Sequence, residues 1–223
     1  MSNTRHVELA IRGGTVVTAS SSYEADIGIR EGRITQIGGG FSADREIDAS
    51  GKLLMPGGID MHVHLTPATL PEGGELAWAD DFGSGTRAAA AGGITTVGNI
   101  TFPRPDESLL DLAERVTHEA EEQAVVDFAL HPVLLDPSPP ALGEFAELAR
   151  RGHTSIKIFM VLGNFDGRAA EYLDAMRRAG ELGMLCVVHC EDGCIIGHLT
   201  ERLVSAGKTG AEHFPASRPV FYE

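Results

Sequence analysis

Gly57-Gly58-Ile59-Asp60-Met61-His62-Val63-His64-Leu65 is an apolar run in which one valine separates two histidines. In an extended strand successive side chains alternate faces, so His62 and His64 project to one side and Met61, Val63 and Leu65 to the other. Two imidazoles on one face are a metal-chelating geometry. Pro56 and the glycine pair lead in, and Pro67 and Pro71 follow, so the run reads as a short buried strand opening into an irregular loop. The pair alone is as well explained by satisfied core histidines, and the flanking chain has to choose.

The 223 residues can form one large domain or two small ones, and 43% hydrophobic content suffices for a sizeable core. A formal charge of −14 argues against a nucleic-acid or anionic-membrane partner, both of which need a basic face. Cys186, Cys190 and Cys194 are too few and too apolar in their setting for a disulfide framework, and read as near-core thiols in a reducing cytoplasm. Met1 to His6 lacks the apolar core of a signal peptide, and no run approaches the length of a membrane helix. The expected location is cytoplasmic.

Residues 1–55 are short alternating runs punctuated by glycine. Gly13-Gly14 and Glu31-Gly32 sit where hairpin turns belong, so a small antiparallel β subdomain, part of a sandwich, is expected. Residues 56–223 change texture. Apolar runs at Ile59–Leu65, Thr95–Thr101, Val125–His131, Ser155–Met160 and Leu185–Cys190 recur at the period of a βα unit. Helices are expected over Asp106–Gln123, with Asp106 as N-cap and Leu109, Leu112, Ala113 and Val116 as its apolar stripe, and over Asp166–Leu182, with Tyr172, Leu173 and Met176. That alternation fits a doubly wound sheet or a (βα)₈ barrel, and no Gly-x-Gly-x-x-Gly follows the first strand.

In a barrel, functional groups gather at the C-terminal ends of the strands. His62 and His64 end the first run, Lys157 interrupts the fourth, and His189 ends the fifth. A lone lysine in a buried strand is costly unless its charge is removed or paired. A neutral amine can react, and a carbamate made with carbon dioxide would convert it into an anionic ligand.

These segments resemble the amidohydrolase superfamily, in its dihydropyrimidinase and hydantoinase branch. The matching stretches are Leu53-Leu54-Met55-Pro56-Gly57-Gly58-Ile59-Asp60 before His62-Val63-His64; Asp80-Asp81-Phe82-Gly83-Ser84-Gly85-Thr86; Ala91-Gly92-Gly93-Ile94-Thr95-Thr96; Lys157-Ile158-Phe159-Met160; and Val188-His189-Cys190-Glu191-Asp192-Gly193. Gly207-Lys208-Thr209-Gly210 followed by Ser217-Arg218-Pro219 points to the dihydropyrimidinase side. The resemblance implies an α/β chain: an N-terminal β-sandwich subdomain and the first five βα units of an incomplete TIM barrel of the metal-dependent hydrolases. It implies two Zn2+, or another divalent metal, with His62 and His64 on the first, His189 on the second, and Lys157 bridging them as its carbamate. Asp60 would orient a ligand from behind. It also implies a cyclic-amide substrate whose binding residues stay unassigned, and a homo-oligomer, tetramer or dimer.

The sequence departs from this pattern in places. A second histidine on strand six and an aspartate on strand eight belong to it, and the chain ends at Glu223 before either. Leu162 stands where hydantoin-hydrolysing relatives carry tyrosine, and Asp192 where asparagine is usual. Thr66 occupies the place of a carboxylate-clasping arginine, which lowers a dihydroorotase. An allantoinase-like ureide hydrolase and a non-catalytic scaffold related to dihydropyrimidinase are the alternatives. A barrel takes about 250 residues, so these residues alone are expected to be inactive and aggregation-prone. Turnover of dihydrouracil or hydantoin by the isolated, monodisperse chain would refute that.

Overall fold

The computed structural model describes residues 5–69, 75–162 and 164–220. The chain divides into two compact units, Met1–Gly57 and Gly58–Glu223. The first holds β1 (Arg5–Val17), β2 (Ser22–Arg30), β3 (Arg33–Ile37), β4 (Phe41–Asp48) and β5 (Leu53–Leu54) in one sheet of order β3-β2-β1-β4, with β5 also on β1. The sheet is mixed and not purely antiparallel, because β4 and β5 both run parallel to β1. Gly13-Gly14 is not a hairpin turn either. It is a bulge inside the 13-residue β1, where the register slips between Ile11 and Gly14 and Gly13 takes φ 70°. Asp26 holds the bulge by accepting from the Gly13 N–H at 3.0 Å. Glu31-Gly32 does turn the chain, at φ 51° and 68°, the left-handed pair that a tight hairpin requires.

Arg12, beside the bulge, ties three strands together. Its guanidinium donates to Asp26 at 3.0 Å and Glu46 at 2.6 Å, and lies 4.6 Å over the ring of Phe41. The described residues of this unit make one sheet and no second layer, and Ile34, Ile37 and Leu53 stay exposed.

In the second unit strands and helices alternate. β6 (Gly58–Val63) is followed by a two-residue ribbon of β7 (Ala68–Thr69) and β8 (Glu75–Leu76), then α1 (Phe82–Ala91), β9 (Ile94–Thr101) and α2 (Leu109–Gln123). β10 (Asp127–Pro132), α3 (Pro139–Arg150), β11 (Ser155–Phe159), α4 (Ala169–Glu181), β12 (Leu185–His189) and α5 (Gly193–Ser205) complete it. β6, β9 and β10 pair in parallel, β11 and β12 pair in parallel, and one bridge from Val133 to Lys157 joins the two groups. All five expected strands are present, with small shifts at their ends. None of the helices is long and apolar enough to cross a membrane, among the described residues.

Two helix starts differ from expectation. α2 begins after Ser108, whose hydroxyl accepts from the Asp111 N–H, while Asp106 turns in the left-handed region at φ 61°. α4 begins at Ala169 behind a 3₁₀ turn over Asp166–Arg168. Its buried stripe is Tyr172, Ala175 and Ala179, whereas Leu173 is 61% exposed. The small residues let α4 lie close to the sheet, and Tyr172 reaches across to donate to the Leu135 carbonyl at 2.8 Å.

The core lies between strands and helices, with Val97, Leu130, Ile156 and Ile158 meeting Leu112, Val116 and Phe145. Alternation then turns Lys157, between Ile156 and Ile158, to the other face of the sheet. Gly98 on β9 lets two groups close over that face: a Cβ there would stand 2.5 Å from Nε2 of His131 and 2.8 Å from Cα of Met61. Gly98→Ala is therefore expected to cost about 1–3 kcal/mol by overpacking, read as a lower urea midpoint at unchanged m-value.

Candidate metal centre

His62 lies in β6 and His64 just past its end, with ring centroids 5.5 Å apart. The register of β6 against β9 slips between Asp60 and Val63, so this strand is bulged where the histidines leave it. A row of rings continues from there: His64 to Trp78 at 4.7 Å and to Phe102 at 6.4 Å, Phe102 to Phe159 at 5.6 Å, Phe159 to His189 at 5.4 Å. Lys157 sits beneath it, 1% exposed, with Nζ 4.6 Å over the Phe159 ring. Among the described residues no carboxylate forms an ion pair with Lys157.

Burial holds the Lys157 amine below the usual lysine range, and Cys190 opposes this only in part. His62 and His64 are likewise held below the ordinary imidazole value, by burial first and then by the charges of Lys157, His189 and, for His64, His62. Nδ1 of His64 is buried without a hydrogen-bond partner among the described residues. Groups that resist protonation and lack internal partners are what a divalent cation needs as ligands. Three imidazoles and an amine supply no anion, however, so the set would fit metal ions only if Lys157 carried an anionic adduct.

Asp60 acts on the backbone, accepting from the His62 N–H at 3.1 Å, and its charge partly offsets the lowering at His62. Two polar residues of this face carry no sequence motif. Asn99, fully buried on β9, accepts from the Leu65 N–H at 2.7 Å and donates to Thr66 Oγ1 at 3.1 Å, which pins the chain directly after His64. A lone asparagine amid Val97, Gly98 and Ile100 was the available signal. His131, 3% exposed, has Nδ1 2.6 Å from the Ser155 hydroxyl; burial lowers it, as do His62 and Lys157. His118 and His198 lie exposed on helices.

Leu162 packs against an apolar cluster of Ile100, Phe102 and Val133. A cavity of about 600 Å³ borders this cluster through Val133 and Leu162, and is lined by Arg104, Glu107 and Leu135 among others, but by none of the four candidate ligands.

The sequence model of the dihydro-orotase-like family matches residues 51–198, a span that includes His62, His64, Lys157 and His189. The chain belongs to this family. Its relatives there include a D-hydantoinase of Ralstonia pickettii, 34% identical over 96% of this chain and 46% of that protein. An allantoinase of Rubrobacter xylanophilus is 38% identical over 97% of this chain and 47% of its own length. Among solved structures, a D-hydantoinase from a Bacillus species superposes with a TM-score of 0.86 at 36% identity, covering 97% of this chain and 47% of that one. The chain thus spans about half the length of the relatives it matches.

The lowered histidines set a pH dependence. Below the ordinary value of 6.5, unfolded imidazoles bind protons that those of His62, His64 and His131 resist. The unfolded state then binds more protons, so stability rises with pH toward 6.5 and is lost on acidification beneath it. In the presence of a chelator the denaturant midpoint is expected to fall between pH 7 and pH 5.5 (from just above to about one unit below the ordinary imidazole value), and to fall less in His131→Asn.

Proposed function

We propose that this chain carries one part of a two-zinc centre that opens cyclic amides of the hydantoin or dihydropyrimidine type, the class for which most of the relatives above are named. Its five parallel strands are read as five of the eight in a TIM barrel, with the ligands at their C-terminal ends. The observation that carries this reading is Lys157: fully buried, held below the usual lysine range, without a carboxylate partner among the described residues, and electrostatically coupled to His62 and His64.

A deprotonated amine is a nucleophile. With carbon dioxide, Lys157 Nζ would form an N–C bond and release a proton, and the carbamate would supply the anionic donor shared by both ions. His62 and His64 would hold one ion and His189 the other; another divalent metal would suit the same donors. When bound, the ions supply a water of pKa near ~7 and a Lewis acid for the amide carbonyl. Asp60 and Asn99 hold the backbone on either side of the histidine pair. Phe102, Phe159 and Leu162 pack in one apolar cluster, with the Phe102 ring beside His64 and the Phe159 ring beside His189. Ring opening gives an N-carbamoyl amino acid or a ureido acid.

A second reading, a ureide hydrolase of the allantoinase kind, is favoured by Leu162, which offers no hydroxyl in that cluster, and by the Rubrobacter relative. In either case the whole protein is read as a cytoplasmic homo-oligomer acting on a small molecule. The test is zinc content together with a ¹³C carbamate resonance after exposure to labelled bicarbonate. Lys157→Ala is expected to abolish the resonance and to weaken zinc binding by more than the ~10–100-fold typical of outer-shell changes. Zinc retained at wild-type affinity in Lys157→Ala would sink the reading.

A further inference from the structure

Two of the motifs remain without a role above, Glu191 in His189-Cys190-Glu191 and Arg218 in Ser217-Arg218-Pro219. The fold brings them together. Nε2 of His189 lies 2.8 Å from one carboxylate oxygen of Glu191, and Nε of Arg218 lies 3.3 Å from the other. The Glu191 side chain is 15% exposed, so the pair is sheltered from full solvent screening. Arg218 is itself held: its guanidinium stacks 4.1 Å over Phe214 and donates to the Ser217 hydroxyl at 2.9 Å, which in turn donates to the Phe214 carbonyl at 2.7 Å.

A carboxylate only accepts, so Nε2 of His189 has to carry the proton in this contact, and the lone pair of the neutral ring then resides on Nδ1. Outer carboxylates that grip one ring nitrogen of a metal-binding histidine both select its tautomer and stop the ring from rotating. We propose that Glu191, braced by Arg218, is the positioning residue for His189: it fixes the Nε2–H tautomer and leaves Nδ1 as the ligand atom. This rests on the metal reading above for its purpose, although the tautomer itself can be observed without metal. It also gives the Ser-Arg-Pro step a function at a distance, through a carboxylate rather than through contact with substrate.

The test uses the full 223-residue chain labelled with ¹⁵N-histidine, freed of metal by a chelator at alkaline pH, with His189→Gln to assign the ring. Long-range ¹⁵N–¹H spectra are expected to show His189 protonated at Nε2 in the wild type, and a mixture of tautomers in Glu191→Ala and Arg218→Met. Arg218→Lys is expected to restore most of the wild-type pattern. Zinc titration should show affinity falling about 10–100-fold in the first two variants and recovering in the lysine variant. If Glu191→Ala does not fold, Arg218→Met reads the same relay from its other end. A wild-type ring protonated at Nδ1, or variants with wild-type tautomer and affinity, overturns the inference. A correct tautomer that responds to Glu191→Ala in a chain that takes up no zinc upholds the positioning and overturns the metal reading.

Discussion

Placing an amine in the interior of a sheet is the constraint from which the rest of the second unit follows. Lys157 stands between Ile156 and Ile158, both fully buried in the helix-facing core, so alternation leaves its side chain only the opposite face. A charge there without a partner is among the most costly arrangements a protein can hold. The surroundings answer by lowering the amine's affinity for a proton and by offering it a ring face in Phe159. Two imidazoles and an amine whose burial disfavours their protonated forms make a group that is poor for stability and suited to binding a cation, which is the exchange expected of a functional site.

Around this group the unit is layered. Ser155 and His131 pair below the Lys157 level, Gly98 opens room for the His131 ring, and Asn99 anchors the turn after the histidines. Above lies the row of rings from Trp78 to His189. Polar residues in the lower layers serve position, since their hydrogen bonds end on backbone or on one another. In the upper layer, Nδ1 of His64 has no hydrogen-bond partner among the described residues.

Much of this was legible in the amino-acid order. The five strands stand out because each is a long apolar run, and Lys157 and His189 stand out because they break such runs. Asn99 breaks one equally, but buried amides recur in many structural contexts, and only the contact with Leu65 and Thr66 shows what this one does. The Gly13-Gly14 pair looks like a turn from composition; it is a bulge because Arg12 and Asp26 fix the strands on both sides of it, a tertiary effect that local preference does not contain. Leu173 falls on the solvent side of α4 because Ala175 and Ala179 bring that helix close to the sheet, and periodicity weighted by side-chain size favours the leucine. α1, α3 and α5 contain glycines or prolines that weaken their helical signal in the amino-acid order.

The outer strands of the second unit, β6 and β12, have exposed apolar residues in Ile59, Met61 and Leu185. They are also the strands that carry His62 and His189. Two ions joined through Lys157, one held by His62 and the other by His189, would therefore be a cross-link between the two ends of the sheet, closing a loop that contains every helix from α1 to α4. Cross-links over long loops act mainly by narrowing the unfolded ensemble. The same donors that make chemistry accessible would then serve as a clasp, so that amide exchange in β6 reports on metal occupancy as directly as any assay of turnover.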